Sequence, residues 1–338
     1  MICSIRSGGF PSWSTLLRVV LPAVSLLFCV SACAPGSHEN DGLSVRYGGQ
    51  YYPGELLLLA CPELWSESGI QVEHILFSSG AESNEALIAG TLDINCGADS
   101  RTVALFNAIP DDALIIGTVQ KGDRYVTVVR SDSSYQSWSD LAGQTVATRL
   151  GTGAEGVLRK YYEREGLRWE DFKYVNLKIE DMIAALERGQ IQAFTAWEPT
   201  PAIAEANGIG RVLQTYGDVA MAPASLHTTR DFAYQHEDAV VRFLAAHLRK
   251  AALIESDPSR AARLASEAAA GRGVAVAPDA FEHAYARIDF SIEFDDATIQ
   301  AIQETARFLH EQGKIDSVPE IAWDASFLER ARELVNQG

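Results

Sequence analysis

The sequence predicts a two-lobed α/β fold with a ligand cleft between the lobes. A repeated phrase is the main observation: residues 86–95 (ALIAGTLDIN) and 185–194 (ALERGQIQAF) share an Ala-Leu pair, a glycine three residues later and then a branched apolar residue. Each copy is typical of a helix end, a glycine C-cap and a strand entry, because glycine adopts the left-handed conformation without a Cβ clash. In addition, strand and helix patterns alternate, and 47% hydrophobic residues suffice for two cores. Clefts between two such lobes are where small ligands bind.

The first lobe is predicted to span residues 43–125 and to include the return segment 223–338. Its strands are expected at 43–47, 72–77, 92–96 and 114–119, and its helices at 55–65 and 82–89. Residues 125–130 are rich in β-branched side chains and are expected to cross into the second lobe, which spans 126–222. This alternation predicts mostly parallel sheets with helices on their faces.

The second lobe repeats the same order. Its strands are expected at 145–150, 172–177, 191–197 and 211–216, and its helices at 154–165, 180–188 and 200–206. Residues 218–229 are expected to form the return crossing. The alanine-rich remainder predicts helices at 238–255, 258–270, 278–287 and 296–312, which should pack on the first lobe.

The N-terminal segment predicts export. Residues 1–18 carry Arg6 and Arg18 and no acid, and the apolar run 19–32 is short for a membrane span, so 1–32 are interpreted as a signal peptide. The run ends in Val-Ser-Ala-Cys and resembles the bacterial lipobox, which implies cleavage before Cys33 and its lipidation. The alternative is an ordinary small-residue cleavage site with an incidental thiol. Residues 33–42 are polar and predict a flexible tether to the membrane.

Two cysteines, Cys61 and Cys96, remain after the signal peptide and the lipidated residue are set aside. An even pair in an exported chain is a plausible disulfide. Cysteine is also often buried as a small hydrophobic residue without bonding, so both interpretations stay open.

Charge and motif content exclude several classes of function. The chain has 45 acidic against 28 basic residues and a net charge of −17, which argues against binding nucleic acid or an anionic membrane through a basic face. The seven histidines show no metal-ligand spacing with each other or with cysteine, and no GxSxG elbow is present. We therefore expect no catalysis, no metal and no cofactor.

Four segments resemble one known family: residues 77–82 (FSSGAE), 89–94 (AGTLDI), 137–147 (SWSDLAGQTVA) and 193–199 (AFTAWEP). The chain resembles ABC-transporter substrate-binding proteins of the nitrate/sulfonate/taurine family, which also includes binders of thiamine-precursor pyrimidines. The resemblance implies a type II periplasmic-binding-protein fold, in which two lobes are joined by two crossing strands. It also implies a monomer that captures a small solute and delivers it to an ABC-transporter permease.

The segment 94–101 departs from the family, because many relatives have small, apolar and proline residues where this chain has Asp99, Ser100 and Arg101. These three residues are expected to face the cleft. Arg101 could hold a ligand anion in bidentate fashion, and the alternative is an ion pair with Asp99 or a surface residue.

The loop 149–156 (RLGTGAEG) contains a literal GxGxxG motif between a strand and a helix. A dinucleotide site would need an acidic residue at the end of the next strand, but that strand runs into Lys178. We predict instead that Gly151, Thr152 and Gly153 offer backbone N–H groups and a hydroxyl to an anion at the helix N-terminus. The alternative is an ordinary strand-to-helix loop.

Aromatic and small residues in other strand-to-helix turns complete the expected site. Trp197 and Glu198 would suit an amine or a planar ring, and the alternative is a core tryptophan and a helix-capping glutamate. Two strand-to-helix turns of the first lobe add Tyr51, Tyr52, Ser79 and Gly80. The alternatives are that one tyrosine only packs in the core and that Ser79 is a plain N-cap.

We expect a lipid-anchored, non-catalytic binding protein for a small anionic or zwitterionic solute, with a taurine-like sulfonate as the representative. Trp197 and Glu198 favour a thiamine-precursor pyrimidine or similar heterocycle as the alternative. An enzyme on the same fold is the rival from another class. The export signal and the lack of a cysteine-rich motif argue against that rival.

Overall fold

The computed structural model describes residues 43–337. The predicted signal peptide 1–32, the predicted lipidation site Cys33 and the predicted tether 33–42 lie outside the described residues. Within 43–337, none of the helices combines the length and the apolar character that crossing a membrane requires.

The first lobe is built on a six-stranded mixed sheet. Its strands are β1 Ser44–Gln50, β2 Gln71–Phe77, β3 Ile94–Ala98, β4 Ala113–Gly122, β10 Ala224–Thr229 and β11 Ile288–Asp289, in the spatial order β11-β4-β10-β3-β1-β2. Strands β1, β2 and β3 pair in parallel, whereas β10 runs antiparallel to both of its neighbours, β3 and β4.

The second lobe repeats this arrangement with five strands. They are β5 Tyr125–Arg130, β6 Thr145–Thr148, β7 Lys173–Asn176, β8 Ala193–Trp197 and β9 Gly210–Thr215, in the order β7-β6-β8-β5-β9. Here β5 is the antiparallel strand. In the first sheet the short edge strand β11 is also antiparallel to its neighbour, β4. In each lobe the strand that arrives from the other lobe is reversed. It enters the sheet from the opposite end, so it must run against its neighbours, and the sheets are mixed.

Thirteen α-helices and two short 3₁₀ helices, Trp138–Leu141 and Trp169–Asp171, are described between residues 43 and 337. The α-helices are α1 Pro53–Ala60, α2 Glu63–Ser66, α3 Gly80–Ile88, α4 Asp99–Ala108, α5 Gly153–Glu165, α6 Ile179–Glu187, α7 Thr200–Ala206, α8 Arg230–Gln235, α9 Glu237–Ser256, α10 Pro258–Ala270, α11 Pro278–Arg287, α12 Asp296–Glu311 and α13 Ser326–Gln337. The sequence missed α4, and its single helix at 55–65 is two helices that meet at Cys61-Pro62. Proline cannot continue the hydrogen-bond ladder of α1, so a second helix begins after it.

The repeated phrase is confirmed as a structural repeat. In the first lobe α3 is followed by Gly90 at φ +71° and then by β3. In the second lobe α6 is followed by Gly189 at φ +69° and then by β8. Both glycines have a left-handed backbone that other residues adopt only with strain, so the shared glycine marks equivalent positions.

The predicted disulfide between Cys61 and Cys96 is wrong. Both cysteines are free thiols buried in the apolar core of the first lobe, Cys61 at the end of α1 and Cys96 within β3. Burial raises the pKa of the Cys61 thiol to about 11 and also raises the pKa of Cys96. The alternative interpretation, two small buried hydrophobic residues, therefore holds.

Candidate functional site

A pocket of about 270 Å³ lies between the two lobes. The first lobe contributes the start of α4 and one face of α12, and the second lobe contributes the glycine loop and the start of α5. Six of the residues singled out from the sequence line it together: Asp99, Ser100, Arg101, Gly151, Thr152 and Gly153. They meet because α4 and α5 both begin at the carboxyl end of a parallel strand, where the two sheets face one another.

Arg101 bridges the cleft. Its side chain leaves α4 beside Gly80 and Gly97, where an added Cβ would come within 2.9 Å and 3.0 Å of the Arg101 side chain. Its Nη2 then donates a hydrogen bond of 2.7 Å to the carbonyl oxygen of Gly151 in the other lobe. The two glycines therefore make room for an arginine that connects the lobes directly.

Asp99 is a nearly buried carboxylate in the pocket wall, 6% exposed. Its Oδ2 accepts a 2.7 Å hydrogen bond from the Thr305 hydroxyl of α12, and its Oδ1 accepts one of 2.8 Å from the Ser100 backbone N–H. The sequence left open an ion pair between Asp99 and Arg101, and the structure shows no such pair. Instead it joins α4 to α12 and places negative charge beside the pocket.

The glycine loop has the geometry of a helix N-terminus. Gly151 has φ +75°, and its N–H donates to Glu155 Oε2 at 2.7 Å. Thr152 is the N-cap of α5, since its hydroxyl oxygen accepts a 3.3 Å bond from the Ala154 N–H. Gly153 lies against the hydroxyl of Tyr125, and a Cβ at this position would collide with it. Only glycine permits this approach.

The remaining pocket lining was not predicted from the sequence. Phe308, Leu309 and Ile315 form an apolar wall at the end of α12. Lys160 and Lys314 face the pocket from opposite lobes, and neither forms an ion pair with any residue between 43 and 337. No local sequence signal separates these residues from an ordinary amphipathic helix face, because only the packing of α12 brings them to the cleft.

The turn residues of the first lobe lie outside the pocket lining. Tyr51 is 42% exposed, whereas Tyr52 is buried and its hydroxyl donates to Gln50 Oε1 at 3.2 Å. Ser79 is the N-cap of α3 and accepts from the Glu82 N–H at 3.4 Å, which is the alternative role. Gly80 contributes indirectly by accommodating the Arg101 side chain.

Trp197 and Glu198 also lie outside the pocket lining. Trp197 is half-buried and packs against the cores of both lobes. Glu198 is fully buried, and its Oε1 accepts a 2.7 Å hydrogen bond from Arg287 of α11, while its Oε2 accepts one of 3.0 Å from the Ala202 N–H. Burial raises the pKa of Glu198 to about 7, and the Arg287 guanidinium opposes this effect. Both carboxylate oxygens are therefore engaged within the protein.

Arg124 and Tyr125, in the first crossing between the lobes, were missed in the sequence. Arg124 is 1% exposed, its Nη2 donates to the Tyr125 hydroxyl at 2.8 Å, and its Nε donates to the Ala222 carbonyl of the return crossing. Its guanidinium carbon lies 4.4 Å from the Tyr125 ring centroid and 5.8 Å from that of Tyr52. A charged residue directly before the predicted crossing strand 125–130 was the signal that could have identified Arg124.

Two α/β lobes, a reversed crossing strand in each sheet and a pocket between the lobes define a two-lobed protein of the periplasmic-binding-protein fold. The chain belongs to the NMT1-like family, whose model matches residues 55–269.

Curated relatives of this chain are bacterial binding proteins. The chain is 25% identical to an aliphatic sulfonates-binding protein of Bacillus subtilis (strain 168), over 65% of this chain and 69% of that one. It is 26% identical to the taurine-binding periplasmic protein of Escherichia coli (strain K12), over 75% and 81%. A second Escherichia coli relative, an aliphatic sulfonates-binding protein, is 25% identical, and the match spans 51% of its length and 48% of this chain.

Solved structures share the fold. The periplasmic aliphatic sulphonate binding protein SsuA from Escherichia coli superposes with a TM-score of 0.72 at 21% identity, covering 83% of this chain and 92% of that chain. The alkanesulfonate-binding protein SsuA from Xanthomonas axonopodis pv. citri, bound to MOPS, gives a TM-score of 0.67 at 21% identity, covering 82% and 94%.

Proposed function

We propose that this protein is the extracytoplasmic solute-binding component of an ABC importer and captures a small anionic or zwitterionic solute, such as a taurine-like sulfonate. In this proposal it acts as a monomer, is anchored to a membrane by lipid on Cys33, and delivers the solute to a permease without catalysing a reaction. The observation that carries the proposal is the pocket lined from both lobes, across which Arg101 already reaches Gly151.

The charges around the pocket support an anionic group on the solute. Arg101, Lys160 and Lys314 bring positive charge from both lobes, and the N-terminus of α5 adds its partial positive charge through the loop 151–153. Two carboxylates of the described residues line the pocket, Asp99 and Glu155. Glu155 is engaged by Arg159 and by the Gly151 N–H, whereas Asp99 has no basic partner within 43–337 and suits a cation on the same solute. A zwitterion would satisfy both signs. The apolar wall of α12 leaves room for a short hydrocarbon portion.

The pyrimidine alternative has less support. It depended on an aromatic face and a free carboxylate at Trp197 and Glu198, but Arg287 and the Ala202 N–H occupy that carboxylate outside the pocket. The sulfonate proposal depends instead on residues that line the pocket.

Isothermal titration calorimetry of the purified protein tests the proposal. Taurine, ethanesulfonate, butanesulfonate, nitrate and an aminopyrimidine are titrated separately, and we expect saturable one-to-one binding of at least one sulfonate. Ethanolamine, which has the amine of taurine without its sulfonate, is the matched control and should bind far more weakly. Binding of the aminopyrimidine alone would replace the proposal with its alternative, and binding of none would refute the sulfonate assignment.

A further inference from the structure

Arg124 is a buried cation with no carboxylate in direct ion-pair contact among residues 43–337, and Asp99 acts on it only at longer range. Its two hydrogen-bond acceptors are neutral, the carbonyl oxygen of Ala222 and the hydroxyl of Tyr125. The rings of Tyr52 and Tyr125 cover its guanidinium. No carboxylate in the described part of the chain forms an ion pair with it, in contrast to Arg287, which binds two carboxylates at once.

A lone buried charge is costly, since removing an ion from water is compensated only by close opposite charge and full hydrogen bonding. Cation–π contacts with two tyrosines offset a part of this desolvation energy. A structural arginine at this position would be expected to have a carboxylate partner. Arg124 instead retains unused capacity for an oxyanion, which guanidinium groups bind with two parallel hydrogen bonds.

Arg124 lies directly behind the wall of the inter-lobe pocket. The Tyr125 hydroxyl that it contacts lies against Gly153, and Gly153 lines the pocket. Ala222, which accepts from its Nε, is two residues beyond Ala220, another lining residue. Tyr52 belongs to the first lobe and Tyr125 to the first strand of the second lobe. Separation of the lobes would therefore part the two rings and expose the guanidinium to the cleft.

We propose that Arg124 is the receptor for the oxyanion group of the solute, whether sulfonate or carboxylate. This inference rests on the proposed function and assigns a site residue to it. Arg124 also links the two crossings through its bond to Ala222, whose φ of +45° is the single positive value of a non-glycine residue within 43–337. An anion on Arg124 is thus bound at the hinge itself.

Charge variants of Arg124 test the proposal. Arg124→Gln removes the charge but keeps an amide donor, Arg124→Lys keeps the charge, and Arg168→Gln is the control because Arg168 is an exposed arginine paired with Asp171. Taurine and ethanesulfonate affinities are measured by calorimetry. We expect Arg124→Gln to weaken sulfonate binding by at least about 10-fold, the loss typical of a charge-assisted hydrogen bond. The sulfonate affinity of Arg124→Lys should lie between those of Arg124→Gln and the wild type. The affinity of the Arg168→Gln control should match that of the wild type.

A ligand-free measurement separates a receptor from a structural residue. As a receptor, Arg124 destabilises the empty protein, so Arg124→Gln should melt at the same temperature as the wild type or higher. Unchanged sulfonate affinity in Arg124→Gln would overturn the inference and leave the proposed function intact.

If the wild type binds no sulfonate, the proposed function as a sulfonate-binding protein fails. Inorganic sulfate then becomes the probe for Arg124. Saturable thermal stabilisation by sulfate that is lost in Arg124→Gln would then support the receptor. Equal responses of the two proteins, or no response in either, would overturn it.

Discussion

Arg287 of α11 and Glu198, which follows β8, form an ion pair between the two lobes, with Nη1 donating to Oε1 at 2.7 Å. The same arginine also binds Glu205 of α7. Together with the bond from Arg101 to Gly151, this pair gives the lobes two direct polar connections at well-separated positions of the chain.

The ionisation of Glu198 should make the stability depend on pH. Burial raises its pKa in the folded protein to about 7, above the ordinary 4.5, so its favourable contribution is complete below about pH 4.5 and is lost as the pH rises through 7. Glu198→Gln cannot ionise. The difference in free energy of unfolding, variant minus wild type, should therefore increase by roughly 2–3 kcal/mol from pH 5 to pH 8.

Urea unfolding of both proteins at several pH values measures this difference. Glu205→Gln, which removes the other carboxylate bound to Arg287, controls for the loss of a partner of that arginine. A difference between Glu198→Gln and the wild type that stays constant with pH would contradict the prediction.

Arg101→Ala should weaken solute binding. The substitution removes both a pocket cation and the direct bond to Gly151, so we expect a loss of about 2 kcal/mol, or roughly 30-fold in Kd. Titration with taurine measures the affinity, and small-angle scattering compares how readily the variant closes. Equal affinity in the variant and the wild type would remove Arg101 from the site.

Gly153→Ala should destabilise the protein, because the new Cβ would collide with the Tyr125 hydroxyl. We expect a cost of about 1–3 kcal/mol, the usual penalty for overpacking. Gly156→Ala is the matched control: it lies in the same helix, nothing within 4 Å meets its Cβ, and alanine favours helix by about 0.5–1 kcal/mol. Thermal melts of both variants should therefore shift in opposite directions, and parallel shifts would disprove the close contact.

Cys61 and Cys96 should react with a thiol reagent only after unfolding. Both are buried and free, and burial raises the pKa of each thiol, so the reactive thiolate is scarce in the folded protein. Alkylation with iodoacetamide followed by peptide mapping should find both unmodified in the native protein and modified in denaturant without reductant. Peptides that become alkylated only after reduction would indicate a disulfide.

Cys33→Ser should move the protein from the membrane fraction to the soluble exported fraction, or block its processing, if residues 30–33 act as a lipobox. Intact-mass spectrometry of the wild type should find the mass of a diacylglyceryl group on Cys33. An unmodified Cys33 at the start of the processed chain would refute the lipid anchor.

Local patterns predicted much of the fold. The repeated Ala-Leu phrase placed α3 and α6 before equivalent strands, since a glycine that must adopt positive φ is a property of the residue itself. The helices at 258–270 and 278–287 were predicted with their observed bounds. By contrast, α4 was missed because it follows β3 without a break and begins with the polar residues Asp99, Ser100 and Arg101.

The sequence alone determined the strand and helix alternation, the two glycine-capped repeats and the glycine loop that begins α5, because backbone preference and apolar periodicity act over a few residues. Only the tertiary structure decided which partners these residues meet. It joined Glu198 to Arg287, placed the end of α12 against the glycine loop, left Cys61 and Cys96 apart and enclosed Arg124 between two tyrosines. Such contacts join residues that are distant along the chain. Their geometry is set by how the two lobes pack, which no local pattern encodes.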